Sequence, residues 1–314
     1  MVFAGVLAGL GAAGAGAADA PPKIVLDGGT GRVSIDRKVE YFEDREGRVT
    51  IEDAASPAYA TRYRRRGGQP LSFGFSLSAY WLRFTLVNRT KAQRQWLIEV
   101  DHPTLDRLDL HVMKPGGGWI LKSAGDRVPA SKREYRHRNI VIPVTIPPGE
   151  SRTFYVRAES EGPVRIPLTV HTPENLAAWD RIAQIAFGFN YGVIIIMAIY
   201  NIALFFSVRD VSQLYFAGFM LSFGAIQMFI NGFVFEFLWP EQTFFVHVGI
   251  TVAINVAAIA TYYFTRRLLD LRRTAPALDA AMRWTGYAAA GIAVVALFSN
   301  MVAIRLTYGI MFVT

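Results

Sequence analysis

Hydrophobic and polar positions change rhythm about halfway along the chain. Before Asp180, apolar residues alternate with polar ones in short stretches divided by turn signals. From Gln184 onward they fuse into long uncharged runs. In Tyr80–Asn88, Leu82, Phe84 and Leu86 share one face while Trp81, Arg83, Thr85 and Val87 share the other, which is the period of a strand. The same alternation groups Trp96, Ile98 and Val100. It sets Leu108, Leu110 and Val112 against Asp109 and His111, and Phe154, Val156 and Ala158 against Tyr155 and Arg157; it continues through Val164, Ile166, Leu168 and Val170. Gly116-Gly117-Gly118, Gly125-Asp126 and Pro147-Pro148-Gly149-Glu150 mark turns. About eight such strands, with no helical period between them, predict an all-β antiparallel sandwich of jelly-roll type over residues 21–175.

The second half reads as an α-helical membrane bundle over residues 176–314. Runs at 184–207, 214–235, 244–265 and 284–304 contain no Asp, Glu, Lys or Arg, and each is long enough to cross ~30 Å of hydrocarbon at ~1.5 Å per residue. Residues 176–182 read as a short helical lead into the first. A fifth run begins at Leu306 but is too short to span by Thr314, so the chain is expected to belong to a longer membrane protein. Residues 1–20, an apolar stretch followed by small residues such as Ala18-Asp19-Ala20, read as a cleaved secretory leader, although no Lys or Arg precedes the apolar part. The leader places residues 21–175 outside the cytoplasm. Alternating spans then put Arg209, Arg266, Arg267, Arg272, Arg273 and Arg283 inside and Arg305 outside, as the positive-inside rule requires. Trp239-Pro240 in the outer loop suits the aromatic belt of a membrane interface.

Composition adds exclusions. The chain has no cysteine, so disulfides and thiolate metal sites are absent. Its net charge of +8 is scattered, and a domain facing outward does not meet DNA, so nucleic acid is not expected as a partner.

Beside these readings stands an ordered series of motifs. Tyr80-Trp81-Leu82-Arg83-Phe84-Thr85-Leu86-Val87-Asn88 is followed by Trp96-Leu97-Ile98-Glu99, Pro103-Thr104-Leu105-Asp106, Gly125-Asp126, Arg136-His137-Arg138-Asn139 and Pro147-Pro148-Gly149-Glu150-Ser151. In the helices come Tyr191-Gly192, Tyr200-Asn201, Leu221-Ser222-Phe223-Gly224, Asn231-Gly232 and Leu238-Trp239-Pro240. From about residue 25 to residue 314 the series resembles bacterial seven-transmembrane receptors with diverse intracellular signalling modules. That resemblance implies a periplasmic jelly-roll sensor similar to carbohydrate-binding modules, seven helices in the inner membrane, and a cytoplasmic histidine kinase, diguanylate cyclase or phosphatase. It also implies a homodimer, since such outputs commonly work in pairs.

The residues show no catalytic constellation: no metalloprotease helix motif, no phosphate-binding Gly loop and no nucleophile elbow. The five histidines are dispersed, with no pair at ligand spacing, so neither a metal nor a cofactor is expected. For a small-molecule ligand, carbohydrate among the candidates, Trp81, Trp96 and Trp119 offer stacking faces. Burial in the core is the bland alternative for the first two. Arg83, Asp106, Asp126 and Arg157 can grip hydroxyls or carboxylates, or instead form structural ion pairs and turns. Arg133 and His137 belong to a basic cluster that suits an anion or lipid headgroups, or simply a solvated loop. Within the spans, Asn190, Tyr200, Asn201, Gln227, Asn231 and Asn255 need hydrogen-bond partners, which makes them interhelical glue or a polar site in the bundle. A signalling receptor heads the expectations. A membrane carrier with an accessory sugar-binding domain is the alternative, weakened by the uncharged spans. A membrane enzyme is disfavoured by the missing acid–base pairs.

Overall fold

The computed structural model describes residues 20–298, apart from 28, 30 and 115, together with 302, 306 and 307. All but the last residue of the leader expected at 1–20, and most of the fifth apolar run, lie outside these residues. The first half contains β1 (Lys23–Leu26), β2 (Arg32–Ser34), β3 (Glu40–Asp44), helical turns α1 (Ile51–Ala54) and α2 (Pro57–Ala60), β4 (Arg64–Arg65), β5 (Ser72–Phe75) and β6 (Ala79–Asn88). It continues with β7 (Gln95–Val100), β8 (Arg107–Met113), β9 (Trp119–Ala124), a 3-10 turn (Ala130–Lys132), β10 (Ile140–Thr145), β11 (Ser151–Glu159), β12 (Pro163–Arg165) and β13 (Leu168–His171).

One sheet runs β4-β3-β6-β11-β8-β9, with β1 added in parallel beside the end of β6. A second runs β10-β7-β13-β2, and β12 pairs with β5. Successive strands cross between the two large sheets, β6 to β7 to β8 and β10 to β11, so their inward faces share one core. Leu82, Phe84 and Leu86 of β6 meet Trp96, Ile98 and Val100 of β7, Phe154 and Val156 of β11, and Ile140 and Ile142 of β10 there. The strand alternation is therefore observed, antiparallel in all pairs except β1–β6.

The outer face of β6 departs from the expected pattern. Trp81 does not face solvent: it is packed with Phe42, Ala54 and Tyr63 in a second small core. The lid is the segment carrying α1 and α2, so the strands are in fact interrupted by two helical turns. A capping box starts α1, Thr50 Oγ1 accepting from the Asp53 amide while the Asp53 carboxylate accepts from the Thr50 amide.

The helical half is α3 (Pro173–Val208), α4 (Ser212–Ile230), a π-helical turn (Val234–Leu238), α5 (Thr243–Leu268), the turn α6 (Leu271–Thr274) and α7 (Pro276–Ala296). The first three long helices are apolar and long enough to cross a membrane. Here the boundaries shift for local reasons. The lead at 176–182 is continuous with the first span: Thr172 caps the helix by accepting from the Asn175 amide and Pro173 occupies its first turn. At 36 residues, α3 is roughly 54 Å long and extends well beyond the hydrocarbon. The span expected to reach 235 stops at Ile230, because Asn231 and Gly232, the latter at φ +77°, turn the chain. The loop expected at 266–283 is mostly helical, with Asp279 buried at the start of α7 and paired with Arg266 at 2.5 Å. Of the fourth expected span, 284–304, the described residues are helical through Ala296 in α7 and again at Val302.

Candidate functional site

The outer domain meets the helices through the loops at one end of the sandwich. After β9, Gly125 adopts φ +134°, and a Cβ there would lie 2.2 Å from the Asp106 carbonyl oxygen. Only glycine allows this approach. It lets the amide of Asp126 donate to Leu105 O and that of Arg127 to Asp106 O, so Asp106 and Asp126 become neighbours. Asp106 is held by Ser160 Oγ at 2.9 Å, by the Glu161 amide at 3.3 Å and by Arg127 Nη2 at 2.9 Å, and Arg127 also pairs with Glu161 at 2.6 Å.

The 3-10 turn that follows docks on the outer loop between α4 and α5. The Ala130 amide donates to Pro240 O, Ser131 donates to the Glu241 carboxylate through both its amide and its hydroxyl, and Arg136 donates to Glu236 O. Arg133 lays its guanidinium 3.7 Å from the Phe235 ring centre and donates to the Gly125 carbonyl. Burial lowers its pKa to about 10, and Asp126 opposes that shift. Gly232 touches the Arg138 carbonyl and Pro103, again without room for a Cβ.

Asp106 and Glu161 stand between two cavities. On one side is an open cleft of about 690 Å³ whose lining includes Arg107, Arg127, Lys132 and Glu159. On the other is a pocket of about 90 Å³ reaching Asp126 and, on α5, His247 and Thr251. Burial, and next the neighbouring Asp106 charge, push the Asp126 carboxyl well above its usual range. The Nε2 of His247 lies 3.3 Å from Asp126 Oδ1.

A second polar cluster sits at the root of α3. Asn139 donates to Glu99 and Asp101, His171 Nε2 lies 2.9 Å from Glu99, and Asp180 of α3 lies 3.4 Å from both His137 and Arg138. Burial alone would raise the Glu99 pKa, but pairing with His171 and Asn139 more than offsets it and holds the group below its usual value. Burial pushes His137 below the usual imidazole value. A cavity of about 360 Å³ opens beside this cluster, lined also by Arg32 and Trp179, whose groups stack at 4.5 Å.

Of the residues singled out in the sequence, Asp106, Asp126, Arg133 and His137 all lie at this junction. The others lie elsewhere. Trp81 and Trp96 are each 1% exposed, one in each core, and present no face to a ligand. Arg83 is buried against Glu40 at 2.9 Å and Tyr63, which makes it a structural ion pair. Trp119 stands edge-on to Tyr155, and Arg157, half-buried on β11, pairs with Glu159 and donates to Gly47 O. Among the membrane residues, Asn190 donates to Gln227 and Asn231 to Tyr191, linking α3 to α4 and its outer end. Asn201 donates to its own helix at Met197 O, Asn255 to Thr251 O and to Thr307 Oγ1, and Tyr200 is exposed. Lys132, Arg127, Glu161 and His247 also line these cavities, and nothing in their sequence spacing links them to Asp106.

Comparison with known proteins adds two matches. Residues 36–172 match the family model described as 7TMR-DISM extracellular 2, and residues 183–314 match that described as 7TM diverse intracellular signalling. No curated protein matches the chain.

Proposed function

Because the chain belongs to the seven-transmembrane receptors with diverse intracellular signalling modules, we propose that it binds a small polar ligand in its outer domain and relays occupancy through the helices to a cytoplasmic output module. Within that reading the outer domain is a periplasmic jelly roll, the helices cross a bacterial inner membrane, and the receptor works as a homodimer. The output is a kinase, cyclase or phosphatase, and the present stretch senses and relays without catalysing.

The observation that carries the proposal is that Asp106 and Glu161 line both the open cleft and the pocket against α5. A ligand that competes for Arg127 changes the balance of charge on Asp106, and Asp106 faces a helix of the bundle. Such a ligand shifts the receptor only by its differential affinity for two arrangements of this junction. The lining supports ligands bearing hydroxyls or carboxylates, which Arg and carboxylate side chains grip directly. With Trp81 and Trp96 in the cores, a sugar would be held by these polar groups rather than by stacking on those rings.

The test is a thermal-shift screen of the purified chain in detergent against sugars, amino acids and small dicarboxylates. A hit that raises the midpoint, and that loses at least about tenfold in affinity in Lys132→Ala or Arg127→Ala, supports the cleft as sensor. A hit indifferent to both substitutions moves the sensor elsewhere, with the cavity at the root of α3 the next to probe.

A further inference from the structure

The junction holds two buried polar atoms, 3.3 Å apart, that make no hydrogen bond among the described residues. One donor atom from each of Asp106, Asp126 and His247 lies within 4.8 Å of the other two. Asp126 is 4% exposed, yet its Oδ1 has no hydrogen-bond partner among the described residues, and neither has Nε2 of His247 beside it. Leaving a buried carboxylate oxygen and a buried imidazole nitrogen without partners is costly, so such pairs call for an occupant. Both residues line the pocket of about 90 Å³ that Glu161 also lines. That is room for an ion and one or two waters of about 30 Å³ each.

We propose that Asp106, Asp126 and His247 bind a divalent transition-metal ion of the zinc class, which ties the outer domain to helix α5. The donor set selects the class. An imidazole nitrogen with two carboxylates suits zinc and its neighbours, whereas calcium and magnesium prefer oxygen alone. The supporting contacts are those expected behind metal ligands. Ser160, the Glu161 amide and Arg127 orient Asp106, and the close approach at Gly125 fixes Asp126. Among the described residues the ion-pair partner of Asp126 is His247. Of the two nearby cations, Arg127 is held by Asp106 and Glu161, and Arg133 is spent on the Gly125 and Val128 carbonyls and on Phe235. Two ligands come from the sandwich and one from the bundle, so the ion sets how they sit against each other.

The experiment uses the whole chain in detergent micelles, stripped with a chelator and desalted. Titration with Zn²⁺ is followed by calorimetry and by thermal midpoint, and Co²⁺ serves as an optical probe. The expected result is saturable binding of one ion per chain, a raised midpoint, and a Co²⁺ visible band more intense than that of the hydrated ion. Mg²⁺ and Ca²⁺ at the same concentration leave the midpoint unchanged. Asp126→Asn and His247→Gln, checked for folding by circular dichroism, weaken Zn²⁺ binding by at least about tenfold. Absence of saturable binding overturns the proposal, as does equal affinity in both variants or an equal response to Ca²⁺. Should either variant fail to fold, the Co²⁺ spectrum of the unsubstituted chain decides alone. The assay reads binding without signalling, so its failure leaves the receptor proposal standing.

Discussion

At the scale of single residues, two glycines decide where the chemistry sits. Gly125 and Gly232 each press backbone against backbone, one inside the outer domain and one between that domain and the α4–α5 loop. Gly125→Ala combines a φ of +134° with a Cβ that would meet Asp106 O at 2.2 Å, so it should cost about 2–5 kcal/mol of stability. Denaturant unfolding checks this, and a loss under half a kcal/mol would show that the loop relaxes freely. Histidine gives a second expectation. Burial lowers the pKa values of His102, His111 and His137, partly offset by the Pro163 carbonyl for His102 and by nearby carboxylates for the other two. A lowered folded-state value means that the unfolded chain takes up the proton first. This stability is complete above the unfolded value of about 6.5 and is lost as pH falls below it. The thermal midpoint should therefore drop between pH 7.5 and 5.5, and His111→Gln should flatten the drop; a rise on acidification contradicts the reading. Residue identity alone could not separate packing from binding. Trp81 sits on the strand face opposite Leu82, where alternation expects solvent, and it is buried only because a distant segment with Phe42, Ala54 and Tyr63 covers it.

Elements were legible where their signal is local. The strand alternation and the three long spans follow from periods and run lengths, and the sequence also carries the helix-start signature Thr172-Pro173 that makes α3 a single rod. Breaks were less legible, because a hydropathy run crosses Asn231-Gly232 without a pause although the backbone turns there. The polar residues in the spans needed partners from another helix, which no run length reveals. Asn190 of α3 and Gln227 of α4 meet at 2.8 Å. A double-mutant cycle with Asn190→Leu and Gln227→Leu, read as unfolding in detergent, should give a coupling of roughly 0.6–2 kcal/mol. Additive effects would mean that the two amides bond elsewhere and that α3 and α4 are held by apolar packing. The candidate site fell in the same gap. Asp106 and Asp126 stood out separately, but their contact depends on a loop fold, and His247 joins them from a helix far along the chain.

For the whole molecule, the two halves constrain each other's orientation. The sandwich docks on residues 232–247, at the end of the bundle that carries Trp239. Arg209, Arg266, Arg267, Arg272 and Arg273 all fall at or beyond the opposite ends of α3 and α5. Arginine clusters stay on the cytoplasmic side, so the docked sandwich must be outside, and reversing it would require either moving these charges across or detaching the domain from the loop it bonds. A chain without cysteine makes this measurable, because a single introduced thiol is the sole target for labelling. Arg45, in the outer domain, and Arg273, on the turn α6 that follows α5, are both exposed. A membrane-impermeant maleimide should label Arg45→Cys in spheroplasts and leave Arg273→Cys untouched until the membrane is opened by detergent. Labelling of Arg273→Cys in intact spheroplasts would place the arginine end outside. The cleft and the junction with α5 would then face the cytoplasm, where no external ligand reaches them.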